Sequence, residues 1–200
     1  MLDRAATDFI KPLIARLALG AQTLGLSANA LTFLGFTFGV IAAGCIWQGL
    51  YHFGLGFILI SRTFDALDGA VARLSQSTDR GGFLDICLDF LFYAIIPLAF
   101  ALANPATNAL AAAVLLASFL GAGTSFLAFA TLAAKRGRTS TDYPNKSFYF
   151  LGGLTEATET LLCFSAMCLW PSYFAQLAYG FASLCLITIA MRLYWGWREL

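Results

Sequence analysis

Apolar residues run along this chain in blocks of about the length that crosses a hydrocarbon core, some 20 residues for about 30 Å, separated by short polar segments. The blocks fall at residues 28–49, 53–74, 82–102, 110–133, 148–170 and 173–195. This pattern predicts six transmembrane helices packed as one bundle over 28–195, within a single all-α integral membrane domain of residues 1–200. Residues 1–19 differ. On a helical wheel Arg4, Asp8, Lys11 and Ala15 share one face, while Leu2, Phe9, Ile10, Leu13 and Leu17 share the other. Such a segment is too charged to span and predicts an N-terminal amphipathic interfacial helix, with Pro12 bending or restarting it; a leader free in the cytoplasm is the alternative. Gly20 and Gly25 then allow a turn into the first span.

Composition agrees with the pattern: 60% of residues are hydrophobic and 12% charged, against about 25% charged in soluble domains. The formal net charge of +1 argues against a nucleic-acid partner, and the placement of the basic residues says more than their sum. Arg4, Lys11 and Arg16 precede the first span. Arg73 and Arg80 lie between the second and third, Lys135, Arg136, Arg138 and Lys146 between the fourth and fifth, and Arg192 and Arg198 near the chain end. The opposite connections, 49–52, 103–108 and the stretch around Pro171, hold no Lys or Arg. The positive-inside rule therefore puts both termini in the cytoplasm, and in a bacterial cell the chain in the inner membrane. Charges early in the chain exclude a cleavable signal peptide. Cys45, Cys87, Cys163, Cys168 and Cys185 lack the short paired spacings of metal or redox motifs and read as small core hydrophobes.

Against this background four aspartates stand out: Asp65, Asp68, Asp85 and Asp89. On insertion scales a carboxylate within a spanning helix costs about 2.5–3.5 kcal/mol, so a cluster requires a cation or a water-filled cavity. Asp65, Asp68, Gly69, Ala72 and Arg73 fall on one helical arc, and Asp85 and Asp89 share a face one turn apart. The polar turn 74–81 makes the second and third spans an antiparallel pair, so their acidic faces meet near the cytoplasmic surface. Hard oxygen ligands in this number suit Mg²⁺ or Mn²⁺, and two such ions could share bridging carboxylates while holding substrate phosphates. Gly69 leaves room for a ligand at the backbone, Ala72 keeps the face open, and Arg73 can fork onto phosphate. Taken singly, Gly69 and Ala72 fit close helix packing equally well, and Arg73 fits a cytoplasmic anchor. His52, the only histidine, sits on the opposite membrane side, which excludes a histidine base.

Asp-x2-Asp-Gly-x2-Ala-Arg-x7-Gly-x3-Asp-x3-Asp, running from Asp65 to Asp89, resembles the signature of the CDP-alcohol phosphotransferases at every fixed position. The resemblance implies transfer of a phosphatidyl group from CDP-diacylglycerol to a polar alcohol acceptor in phospholipid synthesis, with release of CMP. It also implies Mg²⁺ or Mn²⁺, two ions in number, and a homodimer in contact with membrane lipids. Carried over by position, Asp65, Asp68 and Asp85 are similar to the family's principal metal ligands. Asp89 resembles the residue near the second metal that also removes the acceptor's proton. Gly69, Ala72 and Arg73 would contact the cytidine diphosphate, and Gly81 would let the turn approach it. Asn29 and Thr32 resemble a family Pro-Asn-x-x-Thr motif in which Ala28 here replaces the proline.

Other charges carry paired readings. Arg62, the only basic residue deep in a span, calls for an acidic partner among Asp65, Glu156 and Glu159. Glu156 is either half of a structural ion pair or part of the acceptor pocket. Arg138 and Lys146, in the basic loop, either attract anionic headgroups and set topology or recruit a phosphorylated acceptor. Two rival functions use intramembrane aspartates, a cation transporter or channel and an intramembrane prenyltransferase. The reverse donor arrangement, a CDP-linked small alcohol with diacylglycerol as acceptor, is also compatible with the motif.

Overall fold

The structure is a computed structural model that describes residues 2–75, 77–137 and 153–199, with side chains from Ile10 onward. Arg138 and Lys146 lie outside the described residues, as does most of the basic loop. All regular structure among the described residues is helical: α1 (Leu2–Thr23), α2 (Ala28–Trp47), α3 (Tyr51–Leu74), α4 (Asp79–Ala103), α5 (Pro105–Lys135), α6 (Ala157–Leu169) and α7 (Phe174–Glu199), with a 3₁₀ turn at Pro171–Tyr173.

The boundaries follow from local chemistry. Ser27 caps α2 by accepting from the Ala30 N–H at 3.2 Å, and Thr78 caps α4 by accepting from the Gly81 N–H at 3.1 Å. Gly25, Gly49 and Gly137 take positive φ where helices end. Pro12 lies inside α1, which continues through it without a break, so the expected restart does not occur.

Four segments are long and apolar enough to cross a membrane: Ala28–Trp47, Asp79–Ala103, Pro105–Lys135 and Pro171–Glu199. α3 has 24 residues, about 36 Å at 1.5 Å per residue, but Arg62, Asp65, Asp68 and Arg73 lower its hydropathy. α6 is shorter than expected. The pattern of apolar residues places a span at 148–170, whereas the helix begins only at Ala157. The cause is a capping box: Glu156 is the N-cap, its carboxylate accepts from the N3 backbone, and the Glu159 carboxylate accepts from the Glu156 N–H at 3.2 Å. The two glutamates therefore start a helix instead of decorating the middle of one.

The bundle encloses a core of Ala42, Ile46, Ile58, Phe92, Ile96, Phe100, Leu115, Phe164, Met167 and Phe174. Phe100 stacks on Phe174 at 4.6 Å, and Phe92 meets Phe164 edge-on. A second cluster, Ala18, Ala21, Leu31, Leu67, Ala70 and Val71, fastens α1 to α2 and α3. Around this interior, large apolar side chains such as Leu110 and Leu120 face outward, 70% and 72% exposed, on helices long enough to span. Their surroundings are apolar by that count.

Two close approaches fix the helices that carry the aspartates. Gly35 and Gly39 lie one turn apart on α2. A Cβ at Gly35 would stand 3.2 Å from the Ser61 carbonyl oxygen, and one at Gly39 would stand 2.6 Å from the Phe92 ring. α2 thus packs backbone-close against α3 and α4, the small-residue device of helices in lipid.

Candidate active site

Asp65 and Asp68 project from α3, and Asp85 and Asp89 from α4. The i,i+3 and i,i+4 spacings put each pair on one face, and α3 and α4 both pack on α2, which brings those faces together. One carboxylate oxygen from each of Asp65, Asp68 and Asp85 lies within 4.8 Å of the other two. Asp68 is buried, at 4% exposure, and its Oδ2 has no hydrogen-bond partner. A buried carboxylate oxygen without a donor is costly. Three converging carboxylates with one oxygen unsatisfied have the donor set and the electrostatic need of a hard divalent cation such as Mg²⁺ or Mn²⁺.

Asp89 is placed differently. It lies outside that three-carboxylate group, and its Oδ1 accepts from Arg62 Nη1 at 2.5 Å. The same Arg62 nitrogen stands 3.3 Å from Asp65. Arg62 therefore pairs with Asp65, one of the expected partners, and with Asp89, which sequence reasoning missed; no such contact joins it to Glu156 or Glu159. Its guanidinium lies 3.8 Å from the Phe92 ring centroid and 5.7 Å from that of Tyr93, held between aromatic faces and the carboxylates.

The nucleotide-binding candidates gather at the same end of the molecule. Thr32 is buried beside Asp68, and its hydroxyl donates to the Ala28 carbonyl at 3.0 Å. Asn29 and Gly81 meet across the first turns of α2 and α4: a Cβ on Gly81 would lie 3.1 Å from Asn29 Oδ1. Gly81 thereby brings two helix N-termini side by side, an arrangement of free N–H groups that favours anions. Arg73 is exposed and its Nη1 passes over Gly69, 3.4 Å from where a Cβ would be, while Ala72 is half-buried on the next turn.

Two cavities adjoin the aspartates. A small cleft is bounded by Thr32, Gly35 and Phe36 of α2, Arg62 and Asp65 of α3, and Asp85, Leu88 and Asp89 of α4. A cavity of about 600 Å³ opens on the other side of α4, walled mostly by apolar side chains such as Phe90, Tyr93, Phe119 and Phe126. Its polar groups include Asp85, Asp89, Thr124, Thr155, Glu156, Thr160 and Arg192. Glu156, for which the sequence allows either half of a structural ion pair or part of an acceptor pocket, lines this cavity.

Arg192, which the sequence groups with the basic residues near the chain end, lies inside the bundle. It is buried, donates from Nη1 to the Ala122 carbonyl at 2.9 Å, and faces Glu156 electrostatically. The signal was present: Phe181, Cys185, Thr188, Arg192 and Gly196 recur at helical spacing and are all buried on α7. Thr188, one turn earlier, accepts from the Leu154 and Thr155 N–H groups and donates to the Leu184 carbonyl, which anchors the segment before α6 against α7.

A profile of the CDP-alcohol phosphatidyltransferase family matches residues 26–193. Inner membrane protein YnjF of Escherichia coli (strain K12) is 48% identical over 200 residues, covering 100% of this chain and 97% of that protein. Among solved structures, Mycobacterium tuberculosis phosphatidylinositol phosphate synthase (PgsA1) with CDP-DAG bound aligns with a TM-score of 0.72 at 21% identity, covering 93% of this chain and 94% of the other. The same synthase in complex with manganese and citrate gives 0.71 at 21% identity, over 92% and 88%. At that identity the two structures establish a shared fold.

Proposed function

The chain belongs to the CDP-alcohol phosphatidyltransferase family, and from that premise we propose that it transfers a phosphatidyl group from CDP-diacylglycerol to a small polar alcohol and releases CMP. The observation that carries this reading is the convergence of Asp65, Asp68 and Asp85, with a buried Asp68 oxygen left without a hydrogen-bond partner, beside a small cleft that Asp65 and Asp85 line and a large cavity that Asp85 also lines. A relative of the same fold carries CDP-DAG in one structure and manganese in another, which supports the donor and the metal class.

Asp65, Asp68 and Asp85 would hold the divalent ion, Mg²⁺ or Mn²⁺, whose chemistry is to neutralise the diphosphate oxygens and polarise the phosphorus. The chain's own groups do the rest. The adjoining N-termini of α2 and α4, with Asn29, Thr32 and Gly81, receive the nucleotide end of the donor. Arg73 lies over Gly69 and can donate two parallel hydrogen bonds to a phosphate. Ala72 keeps the intervening turn clear.

Asp89 faces both cavities. Held through Oδ1 by Arg62, Asp89 would take the proton of an acceptor hydroxyl arriving from the large cavity. A carboxylate base so placed contributes a factor of about 10²–10⁴. Holding hydroxyl and phosphorus on either side of one helical turn supplies the orientation an in-line displacement needs. The acceptor's polar substituents would lie against Thr155, Glu156, Thr160 and Arg192, and Arg138 and Lys146 would draw in an acceptor that carries a phosphate.

In the membrane we propose six spans, with α3 and the α6 region joining the four strongly apolar segments, and α1 lying in the interface. Both termini and the active site would face the cytoplasm, in a bacterial inner membrane, as a homodimer. The name of the 48%-identical relative supports that membrane.

The test is direct. Purified protein is incubated with CDP-diacylglycerol, Mg²⁺ or Mn²⁺ and a panel of charged and neutral alcohols, and CMP and the lipid product are measured by mass. Metal-dependent CMP release with one alcohol supports the proposal. Metal flux into vesicles without CMP release with any alcohol would point instead to transport.

A further inference from the structure

We propose that Phe90 is a specificity-determining residue: seated against Gly123, its ring sets how bulky an alcohol can stand beside Asp89 in the large cavity. The proposal rests on the family reading above and narrows it from the reaction to the size of the acceptor.

Phe90 follows Asp89 on α4, and both residues line the cavity of about 600 Å³, with Tyr93 one turn further on. The aromatic walls of that cavity are held in different ways. Tyr93 and Phe119 meet edge-on at 6.4 Å, and they pack against the buried Phe164 at 6.3 and 6.2 Å. Phe119 also meets Phe181 at 6.1 Å. These rings hold one another in place. Phe90 has no ring partner among the described residues and is 39% exposed.

What seats Phe90 is a missing side chain on α5. Gly123 is buried, and a Cβ there would collide with the edge of the Phe90 ring. The same stretch of α5 is fixed from its other side by α7: a Cβ on Gly121 would stand 2.8 Å from Ile189, and the Ala122 carbonyl accepts from Arg192 Nη1 at 2.9 Å. α5 therefore cannot retreat from Phe90 without unpacking α7, so a side chain at position 123 displaces the ring. The open space beside the ring is the cavity it already lines. A ring pushed off α5 narrows the room next to Asp89, and a ring cut back to a methyl group widens it. In a pocket, a misfit of one methylene changes selectivity by about 10–200-fold. Neither Phe90 nor Gly123 borders the small cleft, which leaves the donor side of the site untouched.

CMP release is measured on the purified full-length protein with CDP-diacylglycerol, Mn²⁺ and pairs of alcohols that differ by one carbon: ethylene glycol and glycerol, glycerol and erythritol, serine and homoserine, glycerol 3-phosphate and erythritol 4-phosphate. The readout is the ratio of kcat/KM, larger to smaller member, for any pair that wild type uses. Damage to Asp89 or to folding lowers both members alike and cancels in that ratio. Gly123→Ala should lower the ratio by about tenfold or more and Phe90→Ala should raise it. The double variant should behave as Phe90→Ala, because the new Cβ then has no ring to move. An unchanged ratio in Gly123→Ala or in Phe90→Ala, or a double variant as restricted as Gly123→Ala alone, overturns the inference; Phe90→Ala decides even where Gly123→Ala does not fold. No CMP release by wild type with any of these alcohols would instead overturn the transferase reading on which this one depends.

Discussion

Replacing Asp68 by asparagine should stabilise the metal-free protein and destabilise it relative to wild type once metal is present. Asp68 is buried at 4% exposure, and one of its carboxylate oxygens lies within 4.8 Å of one from each of Asp65 and Asp85. At an effective dielectric constant of about 20, two unit charges about 5 Å apart repel by about 3.3 kcal/mol. Two such neighbours set an upper bound of about 7 kcal/mol, which screening and side-chain relaxation reduce to about 1–3 kcal/mol in proteins. Asparagine keeps the size and removes the charge. For a chain of this length, 1 kcal/mol moves the melting temperature by about 2–4 °C, so Asp68→Asn should melt several degrees above wild type in EDTA. In saturating Mn²⁺ wild type gains RT ln(1 + [L]/Kd), about 2.7 kcal/mol at a hundredfold excess over Kd, and the order of the two proteins should reverse. Thermal unfolding in detergent, followed by tryptophan fluorescence with and without Mn²⁺, reads both signs. If Asp68→Asn melts below wild type in EDTA, or keeps the wild-type metal-induced shift, the three carboxylates are not a metal-poised cluster.

Further outcomes test other parts of the site. Asp89→Asn should leave CMP and Mn²⁺ binding within a few-fold of wild type while kcat falls by about 10²–10⁴; activity within a few-fold would remove Asp89 from proton transfer. Arg73→Ala should weaken CMP binding by about 1.5–3 kcal/mol, the contribution of a charge-assisted hydrogen bond, as measured by calorimetry, with melting temperature unchanged because the side chain is exposed. Gly39→Val should lower stability by about 1–3 kcal/mol through overpacking against Phe92, seen as a reduced melting temperature. Thr188→Val should cost about 1–3 kcal/mol by leaving the Leu154 and Thr155 N–H groups without their acceptor.

The aspartate constellation was legible because it is local. Spacings of three and four within one helix fix a shared face, and a short polar turn between two apolar blocks leaves the adjacent helices few ways to meet. Asn29 and Thr32 stand out through the motif, and the structure adds that a Cβ on Gly81 would press tightly on the Asn29 side chain, 3.1 Å from its Oδ1. What depended on the relative rotation of non-adjacent helices was not legible. Arg62 lies one turn from Asp65, so that partner was foreseeable; Asp89, 27 positions away, became its partner through the close approach of α2, α3 and α4 at Gly35 and Gly39. Arg192 resembles an interface anchor by its position near the chain end, and only the buried stripe on α7 distinguishes it. Glu156 and Glu159 resemble in-span charges until their capping geometry is seen, because an apolar count does not register where a helix begins.

The two cavities divide the chain along its length. The small cleft is built from α2, α3 and α4, the large cavity from α5, the segment before α6, α6 and α7, and α4 alone contributes to both. Whatever the first half fixes about the donor and its phosphates, the second half can vary in shape without disturbing it, provided α4 keeps Asp85 and Asp89 facing both ways. If the large cavity receives the alcohol as proposed, such a layout would let one reaction be redirected among alcohols by exchanging the residues after Pro105 between relatives, with the aspartate helices left intact as a common chassis.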